Sequence, residues 1–289
     1  MKIYNLGSLN IDYVYSVPHF VRAGETLSSS NMEIFPGGKG LNQSIALARA
    51  GAQVIHGGMI GHDGIFLEEL LIQNGAASRI ETRNSPTGHA IIQVNEAGHN
   101  CILLFGGANQ MVDQAYAERF LYDAVPGDLL LLQNEVSNLP DIFAVAAEKG
   151  LDIAFNPSPF DEKLLNLPLN QVKWWLCNEI EGEALFGSPD PDTIAANFQA
   201  NYPHSNLVLT LGSRGSLFAN GDGVIHQAAI PTKAVDTTAA GDTFTGYFLH
   251  AVTSGQTPDV ALAIASKAAA IAVSRKGASP SIPAMTELE

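Results

Sequence analysis

The stretch Val235-Asp236-Thr237-Thr238-Ala239-Ala240-Gly241-Asp242-Thr243-Phe244 decides how the rest of the chain is interpreted. Three small residues, 239–241, precede the carboxylate of Asp242, and an apolar run over 244–252 follows. Small residues at a helix start expose backbone N–H groups to a ligand, and the helix dipole adds positive potential there. The pattern therefore predicts a site for developing negative charge, with Asp242 as a candidate proton acceptor. An ordinary helix start with Asp in its first turn would give the same letters.

Composition limits the classes of protein and partner. The 289 residues are 46% hydrophobic and 15% charged, which is typical of one large globular domain or a core with a small attachment. A formal charge of −14 argues against nucleic acid or an anionic membrane as partner. No stretch approaches the roughly 18 apolar residues that span a bilayer. Cys101 and Cys177 are expected to be buried thiols in a reducing compartment, so we expect a cytoplasmic protein.

Apolar strands alternating with helices predict a parallel sheet covered on both faces. Strands are expected at 3–9, 53–59, 129–132, 153–155, 174–176 and 207–210, and helices at 41–49, 65–73, 113–122, 139–149 and 260–275. Asp63 and Asn138 are predicted to cap the second and fourth of these helices. Ligands bind beyond the carboxyl ends of such strands. The polar residues expected to share that crevice are Asn10, Glu135, Asn156, Asn178 and Thr210.

Two stretches interrupt this alternation. Segments 13–17 and 27–35 alternate weakly, and 88–94 with 101–105 form a predicted hairpin about Glu96-Ala97-Gly98. The two stretches are predicted to pair into one small extra sheet.

The glycine run Pro36-Gly37-Gly38-Lys39-Gly40-Leu41-Asn42-Gln43 has neither the spacing of a Walker loop nor that of a dinucleotide fingerprint. An NAD-dependent oxidoreductase is therefore disfavoured. The run is either a plain loop-to-helix turn or a glycine turn that lets a polyol lie against the backbone, with Asn42 as its polar partner.

Two further motifs have both a structural and a functional interpretation. Asn178-Glu179-Ile180-Glu181 is a helix cap, or Glu181 orders metal-bound water near phosphates. Gly212-Ser213-Arg214-Gly215 is a hairpin turn, or a glycine loop under a nucleotide with Arg214 or backbone N–H groups facing phosphate. The eight His residues show no metal-ligand spacing.

In order along the chain, these motifs resemble the phosphofructokinase-B-type, ribokinase-like carbohydrate kinases. The glycine run and residues 236–244 carry the likeness, which extends from Gly7 to about Pro283. Asn156-Pro157-Ser158-Pro159, Asn178–Glu181, Thr210–Gly215 and Arg275-Lys276-Gly277-Ala278 follow in the same order. The resemblance implies a three-layer α/β/α core with a mostly parallel sheet. It also implies a small β-sheet lid that often mediates dimer formation, so we expect one domain over 1–289 with lid strands at about 12–35 and 86–107.

The resemblance also implies roles for individual residues. Asp242 would be the general base, with the anion hole at Ala239, Ala240 and Gly241. Sugar hydroxyls would contact Asn10, Asp12, Gly38, Lys39, Asn42 and Glu135, under lid contacts from Ala90, Ile92 and Leu104. The nucleotide would contact Asn178, Thr210, Leu211, Gly212, Ser213, Arg214, Gly215, Gly241 and Ser266. A potassium ion would lie among Asp236, Thr238, Ala272, Arg275, Gly277 and Ser281, and Glu181 would hold Mg²⁺ through water.

The expected activity is transfer of the γ-phosphate of ATP to the primary 5-hydroxyl of D-ribose. Leu41 and His89 depart from the family pattern beside the sugar loop and in the lid. They motivate an alternative in which the substrate is 2-deoxyribose, another pentose, a hexose or a nucleoside. A non-catalytic sugar-binding regulator on the same fold is a third hypothesis, which the intact Asp242 motif disfavours.

Overall fold

Fifteen strands form three sheets in the computed structural model, which describes residues 1–288. In chain order they are β1 (Ile3–Leu6), β2 (Asn10–Ser16), β3 (Asn31–Gly37), β4 (Val54–Gly57), β5 (Met59–Ile60), β6 (Ala77–Ser78), β7 (Glu81–Thr82), β8 (Gly88–Val94), β9 (Asn100–Phe105), β10 (Leu129–Gln133), β11 (Asp152–Asn156), β12 (Val172–Asn178), β13 (Asn206–Thr210), β14 (Ser216–Asn220) and β15 (Gly223–Gln227).

The central sheet has nine strands in the order β15-β14-β13-β12-β11-β10-β1-β4-β6. Its strands run parallel from β13 to β6, and β14 and β15 add an antiparallel edge. Eight α-helices accompany it: α1 (Lys39–Ala50), α2 (Ile65–Gln73), α3 (Gln114–Phe120), α4 (Leu139–Glu148), α5 (Glu179–Phe186), α6 (Pro191–Asn201), α7 (Ala240–Thr253) and α8 (Pro258–Val273).

Alternating side chains of the central strands feed two separate cores. Leu130 and Leu132 of β10 pack in one core with residues of α3 to α6, while Leu129 and Leu131 pack in the other with residues of α1, α2, α7 and α8. Successive residues of a strand point to opposite faces, so a strand buried on both sides has a continuous apolar sequence. The three-layer α/β/α core predicted from the sequence is therefore confirmed.

The extra sheet has four strands in the order β3-β2-β8-β9. It joins the two irregular stretches of the sequence, as predicted, and we call it the lid sheet. Its register places Asp12 opposite Ala90, and Ala90 opposite Leu104. Directly opposed residues share a face, so these three side chains lie on one side of the lid sheet, with Ile92 two residues further along β8.

Several local predictions were wrong. Asp63 does not cap α2: it accepts hydrogen bonds from the backbone N and Oγ1 of Thr87 at 3.0 and 2.7 Å. Asn138 occupies the cap position of α4 but donates to the carbonyl of Val112 instead. Cys101 is exposed because β9 is an edge strand of the lid sheet, whereas Cys177 is buried as expected. Helix α6 was not predicted.

No helix within residues 1–288 combines the length and apolar character needed to cross a membrane.

Candidate active site

The N-terminus of α7 opens on a cavity at the carboxyl ends of the parallel strands. Ala239, just before the helix, has φ 59°, a left-handed conformation that is uncommon for a residue with a side chain. The carbonyl of Ala239 accepts hydrogen bonds from the backbone N and Oγ1 of Thr243, both at 2.8 Å. A side chain added at Gly241 would meet none of the described atoms within 4 Å. The first turn of α7 therefore offers backbone N–H groups to an anion.

Two amides of α1 hold the Asp242 carboxylate. Asn42 Nδ2 donates to Oδ2 at 3.2 Å, and Gln43 Nε2 donates to Oδ1 at 2.9 Å. Burial raises the pKa of Asp242, although the charge of Lys39 and the two amide hydrogen bonds oppose that rise. A carboxylate with a raised pKa is a stronger proton acceptor than an exposed one, which suits a general base.

The glycine run brings α1 against the end of β1. Gly38 has φ 98°, and an added Cβ on Gly40 would lie 2.4 Å from the backbone N of Ser8. In this packing, the backbone N–H of Lys39 donates a hydrogen bond to Glu135 Oε2 at 3.1 Å. Burial lowers the pKa of the Lys39 ammonium, but the carboxylates of Asp242, Glu135 and Glu181 outweigh it, so the net shift is upward. The lysine thus carries a positive charge among the carboxylates of the site.

Three predicted sugar contacts lie beside residues 37–39 of the glycine run. Asn10 Oδ1 accepts a hydrogen bond from Asn109 Nδ2 at 2.8 Å. Asp12 is half-buried, and this partial burial, followed by repulsion from Glu135, raises its pKa to about 6. Burial also raises the pKa of Glu135, which accepts hydrogen bonds from the backbone of Lys39 and from Ser8. Partly desolvated carboxylates are suitable acceptors for sugar hydroxyls.

The lid side chains differ in exposure. Ala90 is buried, Ile92 is half-buried and Leu104 is 56% exposed. His89 lies on the opposite face of the lid sheet, where its ring packs 5.9 Å from Tyr13 and 5.0 Å from Phe105. Leu41 is fully buried in the apolar core. Neither departure from the family pattern points at the Asp12 face, so the expectation that they reshape the sugar site is not supported.

Two adjoining cavities meet at α7. The first, of about 250 Å³, is bordered by several of the predicted residues: Lys39, Asn178, Glu181, Thr210, Ala239, Ala240, Gly241 and Asp242. The second, of about 440 Å³, is largely apolar and is bordered by Thr210, Gly212, Ser213, Gly215, Ala240, Gly241 and Ser266. A polar cavity beside a larger apolar one is suited to a phosphate chain and a purine or similar base.

Some predicted nucleotide contacts are placed differently. Arg214 forms an ion pair with Glu179 on the surface, so the prediction that it faces phosphate is not supported in this conformation. Leu211 is buried beneath the loop. Lys267, next to Ser266, donates to the carbonyl of Leu288 at the far end of the chain.

The predicted potassium residues come from two segments that Asp236 ties together. Its Oδ1 accepts from the backbone N of Thr238 at 2.9 Å, and its Oδ2 accepts from the backbone N of Gly277, also at 2.9 Å. The Arg275 guanidinium donates a hydrogen bond to Glu287 Oε1 at 2.6 Å. The backbone of Arg275, and not its side chain, is therefore the part that could contact an ion in this region. Ser281 is buried and donates to the carbonyl of Ala278. In residues 1–288, no group of three His, Cys, Asp or Glu side chains could hold a metal.

Sequence reasoning missed Gln43 as a partner of Asp242. It also missed Ser8, which contacts Glu135, and Asn109, which donates to Asn10. Gln43 follows Asn42 directly in the glycine run, and its position near the start of α1 was the signal available. The contact itself needed the packing of α1 on α7.

Comparison with known proteins gives one consistent result. The family described as pfkB family carbohydrate kinase matches residues 2–285. The ribokinase of Haemophilus influenzae is 35% identical, over 98% of this chain and 95% of the relative. The crystal structure of ribokinase from Cryptococcus neoformans in complex with ADP superposes with a TM-score of 0.85 at 34% identity, covering 99% and 98% of the chains. Arabidopsis thaliana ribokinase complexed with ribose and ATP gives a TM-score of 0.83 at 27% identity, covering 99% and 97%.

Proposed function

The chain belongs to the pfkB family of carbohydrate kinases and is a sugar phosphotransferase, and from this we propose that it transfers the γ-phosphate of ATP to the 5-hydroxyl of D-ribose. The observation that carries the proposal is Asp242, held by Asn42 and Gln43 at the helix start between the two cavities. The ribokinases of similar sequence and the structure holding ribose and ATP support ribose as substrate.

In the proposed mechanism, Asp242 takes the proton of the primary hydroxyl as its oxygen attacks the γ-phosphorus. The bond from that phosphorus to the bridging oxygen breaks, and its electron pair stays on ADP. Backbone N–H groups of Ala239, Ala240 and Gly241, together with Lys39, stabilise the charge on the transferred group. Closure of the lid sheet over the sugar excludes water and limits ATP hydrolysis.

The experiment that tests the substrate is a coupled ADP-release assay with ATP and a panel of sugars. We expect D-ribose to give the highest kcat/KM, above 2-deoxyribose, other pentoses, hexoses and nucleosides. A higher value for any of these would replace ribose in the proposal. Ligand-induced stabilisation without ADP production would instead favour the non-catalytic regulator.

The residues present fit the two metal ions. Glu181 borders the polar cavity and uses Oε2 in the helix cap with the backbone N of Asn178, so Oε1 is available for water around Mg²⁺. Bound Mg²⁺ would neutralise charge on the nucleotide phosphates. Backbone carbonyls of the segments joined by Asp236 suit K⁺, an oxygen-preferring cation. Equal rates, and equal melting temperatures, in potassium and sodium buffers would argue against the potassium site.

Asp12 makes ribose binding dependent on pH. Because burial raises its pKa to about 6, the carboxylate is charged above that pH and protonated below it. If Asp12 accepts hydrogen bonds from two ribose hydroxyls, its protonation weakens binding, and Kd should rise about tenfold from pH 7 to pH 5. Calorimetric titration with ribose measures this.

Two variants separate the effect of Asp12 on ribose binding from that of Glu135. Asp12→Asn should bind ribose weakly at every pH. Glu135→Gln removes the repulsion that raises the Asp12 pKa, so the inflection should move to lower pH. A Kd for the wild-type protein that does not change from pH 5 to 8 would contradict this role.

We also propose a homodimer formed through the lid sheet. Leu103, Phe105 and Ile34 are 67%, 51% and 53% exposed on one face of this sheet, a larger apolar surface than isolated exposed residues would produce. β9 is an edge strand that can accept a partner. Light scattering after gel filtration should give twice the chain mass, and Leu103→Lys with Phe105→Lys should halve it. Leu165→Lys, at a leucine that is 55% exposed outside the lid sheet, is the control and should remain dimeric.

A further inference from the structure

Five buried polar side chains form a chain of hydrogen bonds that ends on the Asp242 carboxylate. We call it the amide chain; its members are Gln43 and Ser44 of α1, Gln133 at the end of β10, Asn5 of β1 and His56 of β4. All five are buried, with at most 1% exposure. We propose that the amide chain positions Asp242 for proton transfer, with Gln133 as the positioning residue that fixes the orientation of Gln43. The inference rests on the proposed function of Asp242.

The direction of each hydrogen bond is determined by its neighbour. Gln133 Nε2 donates to Gln43 Oε1 at 2.7 Å, so the Gln43 amide must present its nitrogen to Asp242 Oδ1. Gln43 Nε2 also donates to Asn156 Oδ1 at 3.3 Å, a longer contact that favours the same orientation. Without Gln133, only this contact opposes a rotation of the Gln43 amide that would place its oxygen against the carboxylate. Two oxygens that both accept hydrogen bonds repel each other, and Asp242 would lose one of its two amide donors.

Gln133 is in turn held by the strands. Its Nε2 also donates to Asn5 Oδ1 at 3.0 Å, while Asn5 Nδ2 donates to the carbonyl of Gly40 and to Ser44 Oγ, both at 2.8 Å. The chain thus connects β10 and β1 to the first two turns of α1, which carry Asn42 and Gln43. The orientation of Asp242 therefore depends on three elements besides its own helix.

His56 closes the far end in neutral form. Its Nδ1 lies 2.8 Å from Ser44 Oγ, and burial lowers the pKa of His56 to about 3. Ser44 Oγ accepts a hydrogen bond from Asn5 Nδ2 and shares a further one with His56 Nδ1. The His56 ring is therefore neutral near neutral pH, and it places no positive charge at the end of the amide chain.

The amide chain is not built for maximal stability. Gln133 Oε1 and His56 Nε2 are buried without a hydrogen-bond partner among the described residues. A buried polar group without a partner costs free energy of folding, and apolar residues would pack these positions without that cost. Polar side chains kept at such positions, and joined to the carboxylate of the site, indicate a role in the reaction.

The test compares Gln133→Met, Gln43→Met and the double variant. Gln133→Met should lower kcat about tenfold with the KM values for ribose and ATP nearly unchanged, because only the orientation of the base is altered. The acid limb of the kcat–pH profile should move to higher pH, since Asp242 loses a donor that favours its charged form. Lys39, Glu135 and Glu181 also face this site and are unchanged in all three variants.

The double variant tests whether Gln133 acts on Asp242 through Gln43. If Gln133 acts through Gln43, the double variant should be no slower than Gln43→Met alone, whereas multiplied losses would overturn the inference. Gln199→Leu is the matched control: it removes an amide that donates to the Asn220 carbonyl at the other end of the sheet. It should leave kcat and its pH profile unchanged. If Gln133→Met does not fold, Ser44→Ala interrupts the same chain with a smaller change and should shift the acid limb in the same direction.

Different results would contradict the amide chain and the role of Asp242. Wild-type kinetics in both Gln133→Met and Ser44→Ala would overturn the amide chain and leave Asp242 as base. Full activity after loss of the Asp242 carboxylate would overturn the proposed role of Asp242 as general base, on which the amide chain rests.

Discussion

Asp242→Asn should lower kcat by roughly 10²–10⁴-fold, the range expected when a general base is removed. The substitution keeps the size of the side chain and removes its ability to accept a proton. Asn42 and Gln43 both donate to the carboxylate, so the substrate hydroxyl is the group from which Asp242 can take a proton. Ribose and ATP should still bind, because their other proposed contacts lie on β2, α1 and the Gly212–Gly215 loop. The measurement is kcat by coupled assay, with ribose binding followed by calorimetry.

A second carboxylate provides the control for Asp242→Asn. Asp259 also lies in the first turn of a long helix, α8, but it is exposed. Asp259→Asn should leave kcat unchanged, which separates a role at the site from a general effect of charge at a helix start. Folding should survive in Asp242→Asn, because burial raises the pKa of Asp242 and the neutral amide avoids the cost of a buried charge. Turnover within a few fold of wild type would contradict the mechanism.

Apart from helix α6, the main strands and helices of the core could be predicted in order, because each leaves its own pattern in the sequence. Leu129–Leu132 is apolar at every position, which is what a strand buried on both faces requires, and the structure buries all four. The start of α7 could be predicted in the same way, from the small residues before Asp242. The assignment of Asn42 to the neighbourhood of Asp242 came from the family resemblance, and their contact agrees with it.

The direction in which individual side chains point could not be predicted from the sequence. Leu41 and Asn42 are adjacent in the sequence, yet one enters the core and the other reaches Asp242, because the outcome depends on how α1 rotates against α7. His89 faces away from Asp12 because of the register between β2 and β8. Gln133 ends an apolar strand, where a polar residue signals either a strand end or a buried network. Only the three-dimensional arrangement shows that it contacts Gln43.

Gly241→Ala should reduce kcat/KM for ATP by about 10²-fold while leaving the protein as stable as wild type or slightly more stable. An added Cβ at Gly241 meets none of the described protein atoms within 4 Å and projects into space bordered by both cavities. Alanine also favours the helical conformation over glycine by up to about 1 kcal/mol in helix interiors. The methyl group would instead occupy space that the transferred phosphoryl group needs close to the backbone N–H donors, a loss comparable to removing one such donor.

The same substitution elsewhere in α7 should have the opposite effect, which makes Gly246→Ala the matched control. Its Cβ would lie 2.4 Å from the Cβ of Ala46 in α1, a contact that forces the two helices apart. Overpacking of this kind costs about 1–3 kcal/mol, so the melting temperature should fall in Gly246→Ala. Thermal unfolding and steady-state kinetics on both variants measure the contrast. An active Gly241→Ala protein, with kcat/KM for ATP near that of wild type, would mean that the reacting phosphate does not approach the backbone at the start of α7.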